Sequence, residues 1–366
     1  MTPATSHDIL ITGTGMFAGR MALDIAATAR EPVKVVIAGR NQMRLDWLRT
    51  AGNARAAMFG TPARFVSQAI DLLEPGASES LIHKFRPRLV VQAASIQTST
   101  VISDQGSLWS DLVAEGGLSA TAVFQALITG RMAAAITNQA PTTRLINCSF
   151  PDVVNGMIAE MGHEVLCGTG NVAILSNIFE GAHADRPEGR MRVLAHYQCL
   201  SPWRQPPERR KGAATPRVFI DDNEIADPFE TFRNCQLTPE PAIEISGASG
   251  VTLMLALIAG REWHGHVPAP NGLPGGYPVR LNGDKLALDL PADLSEAEAI
   301  TWNDAFERQN GMTVEDGRAR YHGQLHDLLA QAGWEHAEGF PLADLEDVCS
   351  GMLAFRDRLM AQSSRR

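Results

Sequence analysis

Cysteine is sparse and unpatterned in this 366-residue chain. The five, Cys148, Cys167, Cys199, Cys235 and Cys349, form no Cys-x-x-Cys pair and no His/Cys ligand spacing. That pattern excludes a disulfide framework and a zinc site, and it fits a reducing cytoplasm. Positive charge is short as well: 32 Lys and Arg stand against 41 Asp and Glu, a net charge of -9. An acidic surface does not attract phosphate backbones or anionic membranes, so neither nucleic acid nor membrane is expected as a partner. The local exception, 204-RQPPERRK-211, reads as a solvated loop. No apolar run approaches the roughly 20 residues of a membrane span, and no charged-then-apolar signal segment opens the chain. What is present is 45 % hydrophobic and 20 % charged, enough material for two cores.

The first half has a rhythm. Residues 8–12 and 33–38 are apolar and β-branched, and a helical pattern over about 17–29 lies between them. A strand over 64–71, a helix over 76–85, a strand over 88–95, a helix near 118–138 and a strand over 143–149 follow. Repeated strand–helix units predict an α/β fold with a doubly wound parallel sheet of Rossmann type. The expected division is a nucleotide-binding domain over 1–165 and an α+β substrate and oligomerisation domain over 166–366.

The first strand-to-helix turn reads 13-GTGMFAG-19. Gly13 permits the tight turn, Gly15 lets amides approach a pyrophosphate, and Ala18 lets helix and strand pack closely, with Thr14, Met16 and Phe17 completing the loop. At the tip of the second strand an NAD site places an acid for the ribose 2′-hydroxyl. Here the tip is Gly39, followed by Arg40 and Asn41. A guanidinium suits a 2′-phosphate, so the expected cofactor is NADP. Asp71, at the end of the third strand, either lines the adenine pocket or is an ordinary strand-end residue. Ala93, Ala94 and Ser95, after the fourth strand, face the nucleotide by topology, with Gln92 beside them. Asn147, Cys148, Ser149 and Asp152 line the fifth strand's turn in the same way, and Asn147 and Asp152 are the catalytic candidates there.

From Asn147 onward, 147-NCSFPDVVNGMIAEMG-162, 164-EVLCGTGNVAILSNIF-179, 245-ISGASGVTLMLALIAG-260 and 278-PVRLNGDKLALDLPADLSEAEA-299 follow one another. In order and spacing this resembles, distantly, the lactate/malate dehydrogenase superfamily, over roughly residues 8–305. The resemblance implies a second domain of that family's α+β type, and a proton-exchanging histidine at a strand end, for which His196 in 191-MRVLAHYQCLSPW-203 is the match. It also implies a homodimer or higher homo-oligomer. Two family groups are missing: the Asp that holds the histidine falls at Ile174, and the Arg that anchors a substrate carboxylate falls at Asn177. Lactate and malate therefore lose their anchor, and Asp152, Asn155 or another residue must support the imidazole.

Several segments stay open. Asn171 and Asn177 either cap a helix or meet substrate. Residues 201–216 form either a lid carrying Arg204, Arg209 or Arg210 toward an anionic substrate group or a disordered excursion. His264 and His266 read as part of a Gly/Pro-rich loop. The 282–283 Asn-Gly pair predicts a hairpin with positive φ at both positions. The tail, about 314–361, reads as two amphipathic helices, a core stripe or a surface for a second subunit. The functional expectation is an NADP(H)-dependent oxidoreductase acting on a small molecule's carbonyl or imine carbon. The alternatives are a silent NADP-binding scaffold and a non-redox enzyme that uses the nicotinamide transiently.

Overall fold

The computed structural model describes residues 7–97, 106–183, 189–238 and 242–362. Five strands, β1 (Ile9–Thr12), β2 (Val33–Gly39), β3 (Ala63–Ala69), β4 (Leu89–Gln92) and β5 (Arg144–Asn147), form one sheet in the order β3-β2-β1-β4-β5. All pairings are parallel, with Ile11 opposite both Ile37 and Val91. Parallel strands are covered on both faces, which is why β1 and β4 are buried along their whole length. Helices α1 (Met16–Thr28) and α2 (Gln42–Phe59) pack on one face, α3 (Ala77–Phe85) and α5 (Ala122–Gln139) on the other, and α4 (Leu108–Gly116) lies beside α5. Chain order reverses between β1 and β4, so the loops leaving them diverge and open a crevice at their carboxyl ends.

The run Leu118–Gln139 is long and apolar enough to cross a membrane by composition, yet 78 % of its most apolar window is buried inside the protein. It is a core helix, with Phe124, Leu127 and Met132 packed among neighbours on both sides.

The second half is α+β. Helix α6 (Val153–Glu160) and helix α7 (Val172–Ala182) lead to a small sheet of β6 (Met191–Leu194), β7 (Arg217–Ile220) and β8 (Asn223–Glu224). Helices α8 (Ile243–Ser249) and α9 (Val251–Ala259) precede the antiparallel β9 (Trp263–Pro268), β10 (Gly276–Asn282) and β11 (Lys285–Leu288). Helix α10 (Glu296–Asn310) follows, then β12 (Met312–Glu315), β13 (Arg318–Tyr321), α11 (Gly323–Gln331), β14 (Phe340–Pro341) and α12 (Leu345–Met360).

Three local expectations are corrected, and one left open is decided. The His264/His266 segment is strand β9, because it pairs with β10 from Trp263 to Pro268. Burial pushes the His266 imidazole down to about 3, and its neutral Nε2 accepts the Val193 N–H at 2.9 Å. Among the described residues no group of three His, Cys, Asp or Glu is placed to hold a metal. The β10–β11 turn is Gly283–Asp284, because Asn282 pairs with Lys285, and only Gly283 has positive φ, at 65°. The start of the tail is a hairpin: Glu315 pairs with Arg318 across Asp316 and Gly317, whose φ values are 54° and 68°. Both positive angles are what a two-residue Asp-Gly turn demands. The apolar stripe of α12, including Val348, Met352 and Phe355, is covered by Trp109 and Phe124 of the same chain.

Residues 201–216 are neither a free lid nor an excursion. They fold as 3-10 turns, Tyr197–Arg204 and Pro207–Arg209, around a fully buried Arg210. That guanidinium lies 4.8 Å from the Trp203 ring and donates to the Gln205 and Cys235 carbonyls at 3.0 and 2.8 Å. It is a bracket for the chain, not an anchor for a ligand. Arg210→Ala leaves those carbonyls unsatisfied beside a cavity and is expected to cost about 3 kcal/mol or more. The exposed Arg209→Ala is expected to stay within about 0.5 kcal/mol. Urea unfolding of the two variants checks the contrast, and equal effects would contradict it.

Candidate active site

The nucleotide half of the site starts from a steric fact. Gly13 has φ +96°, and a Cβ there would lie 2.9 Å from the Ala93 carbonyl oxygen and 3.1 Å from the Ala94 nitrogen. Only glycine fits, and the chain leaving β4 at Ala93 and Ala94 is thereby held under the turn. A Cβ on Gly15 would meet nothing within 4 Å. Helix α1 begins just after it with no side-chain cap and no acid in its first turn, so its end is electropositive and open. Met16 is 67 % exposed at that end, whereas Phe17 turns partly inward against the core.

At the tip of β2, Thr14 crosses so close that a Cβ on Gly39 would be 3.0 Å from its Cγ2. Arg40 is largely exposed and sits 3.6 Å from the Asp71 carboxylate. Asn41 Oδ1 caps α2 by accepting the Arg44 N–H at 3.0 Å. Arg44, which the fingerprint leaves out, turns back over the glycine loop, with Nε 3.4 Å from the Thr14 carbonyl oxygen. The Ser95 hydroxyl is taken up by Gln125 Oε1 at 2.8 Å.

The substrate half is assembled from four segments. Asn147 spends its amide on its own turn: Oδ1 accepts the Ser149 N–H at 2.9 Å, and Nδ2 donates to Asn155 Oδ1 at 2.8 Å. Asp152, five residues on, is buried. Its Oδ1 accepts from Asn171 Nδ2, while its Oδ2 has no partner among the described residues, and neither has the Ser149 hydroxyl. Asn171 reaches it from the start of α7 in a backbone conformation, φ 46° and ψ -109°, that non-glycine residues rarely adopt. Its side chain thus serves the carboxyl and not a helix cap. Asn177 instead donates back to the Ala173 carbonyl at 2.6 Å.

His196, just past β6, is fully buried. Its Nδ1 accepts the Gln198 N–H at 3.3 Å, which leaves the ring proton on Nε2, facing Glu307 Oε1 at 2.9 Å. The ring also stacks on Phe306, with centroids 5.0 Å apart. Glu307 Oε2 accepts the Met312 N–H at 3.1 Å and is 3.5 Å from the Ser119 hydroxyl, itself 3.3 Å from the Tyr197 hydroxyl. The carboxylate beside His196 is thus that of Glu307. It comes from α10, 111 residues after the histidine, and no local signal marks it.

Burial pushes the Asp152 carboxyl up to about 6; His196 and the Asn171 bond pull it down, and Glu307 pushes it further up. A carboxyl poised there is half-protonated near pH 6 and keeps a protonated fraction at neutral pH, the condition for exchanging a proton with a ligand. Cys148, in the same turn, is pushed up to about 12 by burial, so it is no thiolate nucleophile.

No protein-family model and no curated protein matches the chain. Solved structures do match. The lactate dehydrogenase of Eimeria maxima with NADH and oxamate aligns at TM-score 0.54 and 15 % identity, over 84 % of this chain and 93 % of that one. The malate dehydrogenase of Cryptosporidium parvum aligns at TM-score 0.54 and 14 % identity, over 82 % and 96 %. The lactate dehydrogenase of the same organism, complexed with lactic acid and nicotinamide adenine dinucleotide, aligns at TM-score 0.52 and 13 % identity, over 82 % and 95 %. The chain has the fold of these dehydrogenases.

Asp152 gives a pH signature. Its carboxyl releases a proton near 3.8 when unfolded and near 6 when folded, so stability present below 3.8 is lost as pH rises through 6. Asp152→Asn removes that loss and is expected to be more stable than the parent by about 3 kcal/mol above pH ~7, with the advantage gone below pH ~4. Urea unfolding at both ends of the range measures it; a difference that does not vary with pH would contradict the assignment.

Proposed function

We propose that the chain is an NADP(H)-dependent oxidoreductase that exchanges hydride with a carbonyl or imine carbon of a small molecule. The observation that carries the reading is the turn after β1. Gly15 faces open space, and α1 starts there uncapped at the switch point of the sheet. Backbone amides at such a helix start hold a pyrophosphate. The neighbours' bound NADH and nicotinamide adenine dinucleotide support a dinucleotide in this crevice. The absence of an acid at Gly39, with arginines following, supports the 2′-phosphorylated form. When bound, the nicotinamide supplies the hydride chemistry.

The chain's own residues handle the proton. Asp152 keeps one oxygen without a partner among the described residues, and His196 and Glu307 act on its charge. When Asp152 gives its proton to a substrate oxygen or nitrogen it is left as a carboxylate, which the nearby His196 ring and the Asn171 amide favour. With no guanidinium on α7, a substrate carboxylate is not required by this site. Five free cysteines support a reducing compartment. Exposed Met43, Trp47, Met58 and Phe59 on α2 support self-association.

A second reading, a nucleotide-binding protein without turnover, is favoured by the complete burial of His196 with both ring nitrogens engaged. Calorimetric titration with NADPH and NADH, followed by a panel of ketones, aldehydes and imines monitored by nicotinamide absorbance, separates the two. The oxidoreductase reading predicts NADPH binding, turnover of one panel class, and turnover reduced roughly 10²–10⁴-fold in Asp152→Asn and His196→Asn with NADPH affinity kept. Binding without consumption across the panel would favour the silent reading. Loss of binding to both nucleotides would remove both.

A further inference from the structure

We infer that Arg44, not Arg40, is the residue that selects a 2′-phosphorylated nucleotide, an inference that rests on the nucleotide reading above. Three observations support it. The first is placement. Asn41 accepts the Arg44 N–H and fixes the first turn of α2, so that side chain 44 projects back across the β1 turn. Its Nε lies 3.4 Å from the Thr14 carbonyl oxygen, and its Nη2 lies 3.7 Å from where a Cβ of Gly19 would stand. The guanidinium therefore bridges the glycine loop and the first turn of α1, beside the tip of β2 where the ribose edge of a dinucleotide falls by topology.

The second is charge. Arg40 is 61 % exposed, and the Asp71 carboxylate 3.6 Å away offsets its charge where a phosphate would need it. Arg44 has no carboxylate within 4.0 Å among the described residues, and its two Nη groups donate to none of them. Neighbouring Asp46 is turned to Gln42 and Arg49 instead. A half-buried guanidinium held at one edge by a carbonyl, with its other edge unengaged, is suited to a bidentate contact with a dianionic phosphate.

The third is the missing competitor. Gly39 carries no acid, and a Cβ there would need Thr14 Cγ2, 3.0 Å away, to give way. The residue at the tip of β2 thus has no side-chain oxygen to accept from a free 2′-hydroxyl, and the first turn of α2 that follows presents Asn41 and the Arg44 guanidinium.

The test is direct binding, which needs no substrate. Dissociation constants are measured by calorimetry for NADPH, NADH, adenosine 2′,5′-bisphosphate and adenosine 5′-monophosphate, on the parent, Arg44→Ala, Arg44→Lys and Arg40→Ala. The expected result is a loss of roughly 10- to 100-fold for NADPH and the bisphosphate in Arg44→Ala, with NADH and the monophosphate within about twofold. Arg44→Lys recovers part of the loss, and Arg40→Ala loses less than Arg44→Ala. Equal weakening of both nucleotides in Arg44→Ala would show a merely structural role for the side chain and overturn the proposal. So would a parent that prefers NADPH and keeps that preference without Arg44; in that case the nucleotide site itself stands. A parent that binds neither nucleotide, or prefers NADH, removes the proposal together with the NADP reading.

Discussion

A methyl group on Gly13 would collide with the Ala93 carbonyl oxygen, and the rest of the site depends on the closeness of that crossing. The same residue donates its N–H to the Ala38 carbonyl at 2.7 Å, so β1, β2 and β4 are all tied at one point. Because the turn is pinned, α1 must start where it does, with its uncapped end over the carboxyl edge of the sheet. Gly39, against which Thr14 lies, brings no side chain to the tip of β2, and the arginines that follow are the groups left to meet a ribose. Steric exclusion at Gly13 and the bare tip at Gly39 thus set where a diphosphate would rest and what surrounds its adenosine end.

The other half of the crevice is held by polar groups at some expense of stability. Asp152, His196 and Glu307 are all buried, and the folded chain keeps them together through Asn171, Gln198, Met312 and Ser119. Buried ionisable groups of this kind rarely stabilise a fold, and an apolar cluster of the same volume would do as well or better. Asn171 adds backbone strain to the arrangement. Strain and desolvation converge on one carboxyl oxygen that has no partner among the described residues, and that convergence marks a place made for a ligand. The tail contributes indirectly: β12 supplies the Met312 N–H, and α11 and α12 pack its hairpin against α4 and α5.

What could be read from the sequence was what local physics decides. The strands of the parallel sheet, the glycine turn and the helices Met16–Thr28 and Ala77–Phe85 follow from β-branched runs, positive φ and apolar period, and their bounds agree to within a residue or two, except that the fourth strand ends at Gln92, three residues before the expected 95. The Asp316–Gly317 hairpin was equally legible, since Asp-Gly is a strong turn signal, but a helical period on either side of it masked the signal. Arg210 could not be read as a bracket, because two of its carbonyl partners, those of Arg233 and Cys235, lie more than 20 residues away. Glu307 was beyond reach for the same reason: its link to His196 is a tertiary fact made by the packing of α10 on the strand end. Arg44 lies five residues beyond the recognised tip, Gly39, and only the Asn41 cap reveals which way its side chain turns.

The fold of lactate and malate dehydrogenases is therefore present with a different set of polar supports behind its histidine and no guanidinium on the helix that follows the second glycine turn. The most direct test of the central claim is a crystal structure of the protein grown with NADPH. The account predicts the diphosphate against the amides at the start of α1, beside Gly15, with the nicotinamide end turned toward Asp152. A nucleotide lodged elsewhere on the surface, or a diphosphate that makes no contact with that helix start, would contradict it.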